Sequence, residues 1–395
     1  MNLITNVSPL LPPLTGIGHY TRQLLLELLA MPEVGDIKGV SALRWHDRDA
    51  VARMLIDVAA SNDGDSEDKP ASSRHKEKLL DLGRKIPFAR RLKRSLEQRT
   101  AQKMSSQCED YIYWEPNYTL LPLDNPSAVT VHDLSHIHFP QYHPKERVDI
   151  LHRTLEESLQ RATRVIAVSE YTRQDIARHF SVPIDDIDVV SPAVCDSFRV
   201  KAGESDLAQV RKKYKLPNSY LLSVATLEPR KNILGLVKAF SQLPQVFRQA
   251  FPLVLVGTKG WLTEELEQAL EPLLRKGEAV RLGYVDQADL PVIYAGATCM
   301  AYVSFFEGYG MPVAEAMTTG TPVLTSAVSS MPEVAAGATL LVDPHDVASI
   351  AESLQRLIED ESLRTQLSEA GLEASQAYTW SNSAQRLLSV LQQVK

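Results

Sequence analysis

The chain has 395 residues, 44% hydrophobic and 23% charged, and 42 Lys and Arg against 49 Asp and Glu give a net charge of −7. These proportions fit a globular protein of about two domains, exclude a disordered chain, and speak against a dedicated nucleic-acid binder, which carries a basic excess. Three scattered cysteines (Cys108, Cys195, Cys299), no signal-peptide pattern at the amino terminus and no run of ~18 apolar residues leave a reduced, cytoplasmic protein, at most resting on the inner face of a membrane, as the expectation.

In chain order, Asn2–Val7 reads as a strand, Ser8–Gly18 as a loop, and Tyr20–Ala30 as a helix with a buried stripe of Leu24, Leu25, Leu28 and Leu29. Ser61–Asp65 reads as a solvated loop. The stretch Arg74–Lys103 holds eleven basic and three acidic residues, so a chain of net −7 carries −15 outside it. Its apolar residues, among them Leu79, Ile86, Phe88 and Leu92, fit either a solvated helix covering a core or a basic helix lying on an anionic membrane.

Tyr111–Trp114, Ala128–Val131, Val165–Val168 and Asp188–Val190 then read as strands, with helices over Arg147–Ala162 and, capped by Ser169, Glu170–Phe180. Residues 200–218 are polar and connect to a second series. In it, strands Tyr220–Ala225, Leu253–Val256, Val280–Gly283, Met300–Val303 and Pro322–Leu324 alternate with helices Ile233–Leu243, Glu264–Lys276, Gln287–Ala295 and Pro312–Thr318. Uniformly apolar strands alternating with helices imply parallel sheets covered on both faces. The expectation is therefore an α/β chain of two Rossmann-like, doubly wound domains, 1–200 and 201–376, facing across a cleft, with a helix in 377–395 returning to the first. Ligands of such folds bind beyond the carboxyl ends of the strands, so chemistry is sought in the residues after each strand.

After the strand Met300–Val303 comes Phe305-Phe306-Glu307-Gly308-Tyr309-Gly310-Met311-Pro312-Val313-Ala314-Glu315. Pro312 suits a first helical turn, and Gly308 and Gly310 allow close backbone approach to an anion at a helix start. Glu307 and Glu315 can grip two ends of one ligand, although each alone is also an ordinary helix-end carboxylate. After the strand Tyr220–Ala225, the loop Thr226-Leu227-Glu228-Pro229-Arg230-Lys231-Asn232 presents adjacent cations suited to a diphosphate whose charge grows as a bond breaks. A solvated Arg-Lys pair is the plainer reading. Thr15-Gly16-Ile17-Gly18-His19-Tyr20 follows the first strand, either as a phosphate-facing loop or as a plain turn. Gly257 and Thr258 follow another strand, as an addition to a phosphate site or as a solvated loop. His136 and His138 invite a metal reading, but no carboxylate joins them at a recognisable spacing, so no metal is expected.

The Glu307-to-Glu315 segment resembles the paired-glutamate signature of the retaining glycosyltransferases of family 4, which have the GT-B fold. The likeness extends to Thr319-Gly320-Thr321-Pro322-Val323 and Ala377-Tyr378-Thr379-Trp380. It implies that Glu307 contacts donor-sugar hydroxyls, Glu315 the nucleotide ribose, and the backbone of Gly308, Tyr309, Gly310 and Met311 the sugar and phosphates. Lys231 would stabilise the departing diphosphate. The family's usual Arg position is occupied here by Thr226, and Arg230 is expected to supply the missing charge. Gly16 and Gly18 would face the diphosphate, and Tyr284 and Val285 resemble the segment whose backbone reads the nucleobase. His132, on residue chemistry alone a structural strand-end histidine, maps to the group facing the transferred sugar, with Asp133 and Tyr20 towards the acceptor.

The resemblance thus implies a hexosyltransferase that uses a nucleotide diphosphate sugar as co-substrate and needs no metal or other cofactor. The Glu-Pro-Arg-Lys-Asn wording is similar to the mannosyltransferase-like branch. That points to GDP-mannose or GDP-rhamnose as donor and to a glycan or lipid-linked acceptor in bacterial O-antigen or other surface-polysaccharide synthesis. A UDP-sugar transferase, a sugar-nucleotide epimerase of GT-B fold and a non-catalytic sugar-nucleotide-binding subunit are the alternatives.

Overall fold

The computed structural model describes residues 1–12, 14–41, 44–61, 100–143, 145–258, 260–261 and 263–394. The expected loop from residue 62 and most of the basic stretch, residues 74–99, lie outside the described residues. Contacts divide the chain into two units, one of Met1–Val131, Arg153–Ile166 and Leu387–Lys395, the other of His132–His152 and Ala167–Arg386.

The first sheet has the order β3-β2-β1-β4-β5-β6-β7. Its strands are β1 (Asn2–Asn6), β2 (Ile37–Ser41), β3 (Arg44–His46), β4 (Tyr111–Glu115), β5 (Ser127–Val131), β6 (Arg164–Ala167) and β7 (Ile187–Val189). β1 runs parallel to β2 and β4, β4 parallel to β5, and β3 closes the edge antiparallel to β2. Helix α1 (Gly16–Ala30) begins four residues before the expected start, because the Thr15 hydroxyl accepts from the Gly18 amide at 3.4 Å and caps it. Its buried face is Tyr20, Thr21, Leu24, Leu25 and Leu28; Leu29, expected in that stripe, is only half-buried. Helices α2 (Arg48–Ser61), α3 (Lys145–Arg161) and α4 (Glu170–Phe180) follow. Ser169 caps α4 as its sequence predicts, accepting from Thr172 N at 3.1 Å.

The second sheet has the order β10-β9-β8-β11-β12-β13, and every neighbouring pair is parallel. Its strands are β8 (Leu221–Val224), β9 (Leu253–Val256), β10 (Ala279–Gly283), β11 (Cys299–Tyr302), β12 (Val323–Ser326) and β13 (Leu340–Val342). Helices α5 (Glu204–Tyr214), α6 (Ile233–Gln242), α7 (Glu264–Arg275), α8 (Leu290–Ala295), α9 (Met311–Thr318), α10 (Val347–Glu359), α11 (Glu361–Ala374) and α12 (Trp380–Gln393) follow, with short helices at Gln245–Ala250 and Met331–Ala335. One face of this sheet buries Leu221, Leu255, Leu236, Phe240, Leu270 and Leu354, drawn from two strands and from α6, α7 and α10. Each such side chain contributes roughly 1.5–3 kcal/mol by leaving water. β8 lies between β9 and β11, so the connections leave it in opposite directions; that makes it the switch point at which doubly wound sheets open a binding crevice. No helix among the described residues is long and apolar enough to cross a membrane.

Candidate active site

The loops after β8 and β11 meet because their strands are neighbours. After β8 the chain makes one tight turn over Pro229–Lys231 and passes through Asn232, which has the left-handed φ of 54° that Asn tolerates better than most residues. The Asn232 amide donates to the carbonyls of Val303 at 3.0 Å and Pro344 at 2.7 Å, and Phe305 N donates to the Arg230 carbonyl at 2.9 Å. Two of these three hydrogen bonds tie the basic loop to the segment carrying Glu307, and the third anchors it to Pro344.

The charges they align form a closed cluster. Lys231 Nζ lies 2.7 and 2.9 Å from the two Glu307 oxygens and 2.9 Å from the Tyr302 hydroxyl, which itself donates to Glu307 Oε1 at 2.9 Å. Arg230 donates to Glu307 Oε2 at 3.0 Å, to the Phe306 carbonyl at 2.7 Å and to Glu228 Oε1 at 3.0 Å. The Lys231 side chain is 14% exposed and that of Glu307 only 8%, so their charges interact with little solvent screening. Burial pushes the Glu307 carboxyl up, but Arg230 and Lys231 outweigh it and hold it below its ordinary value. Burial, reinforced by Arg230, pulls the Lys231 ammonium below its ordinary value against the attraction of Glu307. Burial also raises Asp133, yet Arg230, Ser135 and Lys231 keep it low, which places its carboxylate in the same field. The Arg230 guanidinium, expected to supply the charge absent at Thr226, is engaged by Glu228, Glu307 and the loop backbone.

The glycine loop beyond Glu307 is fastened on every side. Ser330 Oγ donates to the carbonyls of Glu307 and Tyr309, and Ser329 Oγ accepts from Glu307 N. The Gly308 carbonyl accepts from Ser169 Oγ at 2.6 Å and Thr172 Oγ1 at 3.2 Å, so the cap of α4 also holds this loop. A Cβ on Gly308 would sit 1.7 Å from the His132 carbonyl oxygen, a distance only glycine permits. Gly310, with φ 109°, turns the chain into α9 at Met311, and Pro312 occupies the first turn as expected. Glu315 lies on α9 and accepts from the Tyr294 hydroxyl at 2.8 Å; burial pushes its carboxyl up to about 7 against that hydrogen bond.

Around this cluster, Gly257 has φ 138°, and a Cβ there would lie 2.0 Å from the Ala225 carbonyl, so glycine is what lets the β9 end approach the β8 loop. Thr258 accepts through its carbonyl from Leu227 N at 3.0 Å. Thr226 and Tyr284 are exposed, whereas Val285 is buried. Asp133 Oδ1 accepts from Ser135 N, and His132 is half-buried. Gly16, Gly18 and Tyr20 belong to the other unit. Gly16 is exposed, and the Gly18 amide is directed to its own helix cap. Tyr20, expected towards an acceptor, is instead a core residue: it is 2% exposed, with its ring edge-on to Trp114.

Chain spacing alone shows no carboxylate partner for His138, but the fold supplies one. His138 Nε2 lies 2.8 Å from Asp175 Oδ2, and His179 Nδ1 lies 3.2 Å from Asp175 Oδ1. The buried Asp175 carboxylate is thereby satisfied, and the three potential ligand atoms lie within 4.8 Å of one another. His136 is buried 6.4 Å from the His152 ring, apart from that cluster.

Comparison with known proteins agrees with this architecture. Residues 208–374 match the family described as Glycosyl transferases group 1, and residues 55–198 match Glycosyltransferase Family 4. The chain is 35% identical over 383 residues to O-antigen chain mannosyltransferase B of Escherichia coli, covering 97% of each protein. The chain belongs to glycosyltransferase family 4. This glycosyltransferase is also 31% identical over 230 residues to the serotype-specific mannosyltransferase WbdA of Escherichia coli, a match that spans 57% of the chain and 28% of WbdA. Its fold is that of a glycosyltransferase from Rickettsia africae (TM-score 0.69, 14% identity, covering 100% of this chain and 98% of that one). It is likewise that of WaaG, a glycosyltransferase of lipopolysaccharide biosynthesis (TM-score 0.64, 14% identity, 99% of each chain). These likenesses bear out the GT-B expectation.

Several groups of this cluster are not evident from the sequence: Tyr302 and Tyr294, which touch the two glutamates, Glu228, which holds Arg230, and Ser169 and Thr172, which hold Gly308. Of these only Ser169 carried a signal, and that signal was a helix cap.

Proposed function

We propose that the protein is a retaining mannosyltransferase of O-antigen synthesis. It moves mannose, or the related D-rhamnose, from a GDP-sugar to a hydroxyl of a polysaccharide or lipid-linked acceptor. The reading is carried by the Lys231–Glu307 pair at the switch point of the second sheet, in a chain alike over 97% of its length to O-antigen chain mannosyltransferase B. On donor binding, hydroxyls of the sugar take the place of Lys231 on Glu307, and the ammonium turns to the diphosphate. Glu315 binds the ribose through the oxygen not used by Tyr294. The amides at the start of α9 and Lys231 stabilise charge as the bond from the anomeric carbon to the phosphate oxygen breaks. The acceptor hydroxyl attacks on the same face, the new carbon–oxygen bond forms there, and its proton passes to the departing phosphate oxygen. His132 and Asp133 line the reacting face. No metal or other cofactor is required, because fixed cations and amides neutralise the leaving group. The basic stretch Arg74–Lys103 would bring the enzyme to the anionic inner face of the cytoplasmic membrane, near lipid-linked acceptor.

The experiment is a transfer assay with GDP-mannose, GDP-rhamnose, UDP-glucose and ADP-glucose on a mannose-terminated acceptor, with EDTA present throughout. Retained α-mannosyl or α-rhamnosyl product from a GDP-sugar is expected. Transfer from a UDP-sugar alone would overturn the donor assignment, and turnover of donor without acceptor would indicate an epimerase.

A further inference from the structure

We infer that Tyr302 is a positioning residue of the transfer reaction, its single hydroxyl fixing Lys231 and Glu307 at once. The inference rests on the roles given to those two residues above. Tyr302 ends β11 and is 2% exposed, and its carbonyl accepts from Thr325 Oγ1 at 2.8 Å, so its backbone is pinned at the strand end. The Lys231 ammonium stands beyond the hydroxyl end of the ring, with Nζ 5.5 Å from the ring centroid. The hydroxyl accepts from Lys231 at 2.9 Å and donates to Glu307 Oε1 at 2.9 Å. A phenol has one proton to give and lone pairs to receive, so both contacts are satisfied together.

The pair needs such a third member because it must separate to work. Lys231 and Glu307 neutralise each other at 2.7 Å; when the donor comes between them Lys231 exchanges the carboxylate for the diphosphate while Glu307 keeps Arg230, so both must be re-aimed in a mostly buried place. Arg230, Glu228 and Asp133 also face the pair, but Arg230 is held by Glu228, Glu307 and the Phe306 carbonyl and repels the ammonium. Tyr302 is the neutral group that bonds both members, so it supports the ammonium with an acceptor and the carboxylate with a donor through the exchange. Phenylalanine would fill the same strand end, which makes the hydroxyl the part that the packing does not require.

The test is Tyr302→Phe, which keeps the ring and removes the oxygen. The expected result is a fold and Tm close to wild type, kcat lower by about 10- to 100-fold, and a donor KM changed less than about threefold, as befits hydrogen bonds to charged groups. The pH–rate profile should narrow from both sides. Loss of the acceptor lowers the basic limb set by Lys231, and loss of the donor raises the acidic limb set by Glu307. Unchanged kcat and limbs in Tyr302→Phe, with Glu307→Gln inactive, would overturn the role of Tyr302 and leave the donor site standing. Full activity of Glu307→Gln would instead overturn the donor-site reading on which Tyr302 depends. Should Tyr302→Phe not fold, a 3-fluorotyrosine at 302 keeps the shape with a stronger O–H donor; a lowered acidic limb supports the inference, and an unmoved one overturns it.

Discussion

Lys231 and Glu307 are 76 residues apart in the chain and 2.7 Å apart in the fold, because each follows one of two neighbouring strands, β8 and β11. The opposed charges at the switch point of the second sheet are therefore a product of strand order, and the expected behaviour of the enzyme follows from what each member of the cluster loses when its partner is changed.

Glu307→Gln removes the charge that neutralises Arg230 and Lys231. Transfer activity should fall by roughly 100-fold or more, the cost of deleting one preorganised polar contact to the reacting group. Stability should fall by about 1–3 kcal/mol, since Lys231, with little exposure, loses its bonded carboxylate while Arg230 keeps Glu228. Steady-state rates and thermal melts on the same preparation check both.

Gly308→Ala adds a methyl group where the His132 carbonyl oxygen already stands. Backbone must shift on one side or the other, so the variant should lose about 1–3 kcal/mol and most of its activity. Gly16→Ala, whose Cβ would meet nothing within 4 Å, is the contrasting control for stability.

Glu315 gives a pH dependence whose sign is fixed. Its carboxyl stands at about 7 in the folded chain against an ordinary 4.5, so the folded state binds the proton more tightly than the unfolded one. The stabilisation is complete below about 4.5 and is lost as pH rises through about 7, by an amount on the order of 1–3 kcal/mol. Glu315→Gln cannot titrate. Its Tm relative to wild type should therefore rise between pH 4.5 and pH 8, as followed by calorimetry across that range.

Ser169 both caps α4 and donates to the Gly308 carbonyl. Ser169→Ala should cost about 1–2 kcal/mol, and the Ser169→Ala, Thr172→Val double variant should cost less than the sum, because both hydroxyls serve one carbonyl. Urea melts of Ser169→Ala, Thr172→Val and the double variant measure the coupling.

The strands of the second sheet were legible because Leu253–Val256 and its neighbours are short apolar runs between turn residues, and the glutamate and lysine segments were legible because they follow those runs. The edge strands β2 and β3 were not. Ile37–Ser41 contains Lys38 and Gly39, which break the apolar run, and Arg44–His46 is too short to show a period. Strand β13, Leu340–Val342, is likewise only three residues. Within the site, residue type and position after a strand pointed to Glu307, Lys231 and Glu315. Tyr302 and Tyr294 look in sequence like ordinary strand and helix aromatics, and their hydroxyls gain meaning only from the carboxylates the fold brings to them. The same holds for Asp175, whose 37-residue separation from His138 hides their contact. Tyr20 shows the converse: its place beside a glycine loop suggests a ligand-facing residue, but its helix turns it into the core.

The most direct measurement is calorimetric titration of GDP and of GDP-mannose into wild type, Lys231→Ala and Glu307→Gln. Lys231→Ala should weaken both ligands by about tenfold or more, while Glu307→Gln should weaken GDP-mannose yet leave GDP bound at least as tightly, because only the sugar needs the carboxylate. Equal affinity of all three proteins for both ligands would contradict the assignment of Lys231 to the diphosphate and Glu307 to the sugar.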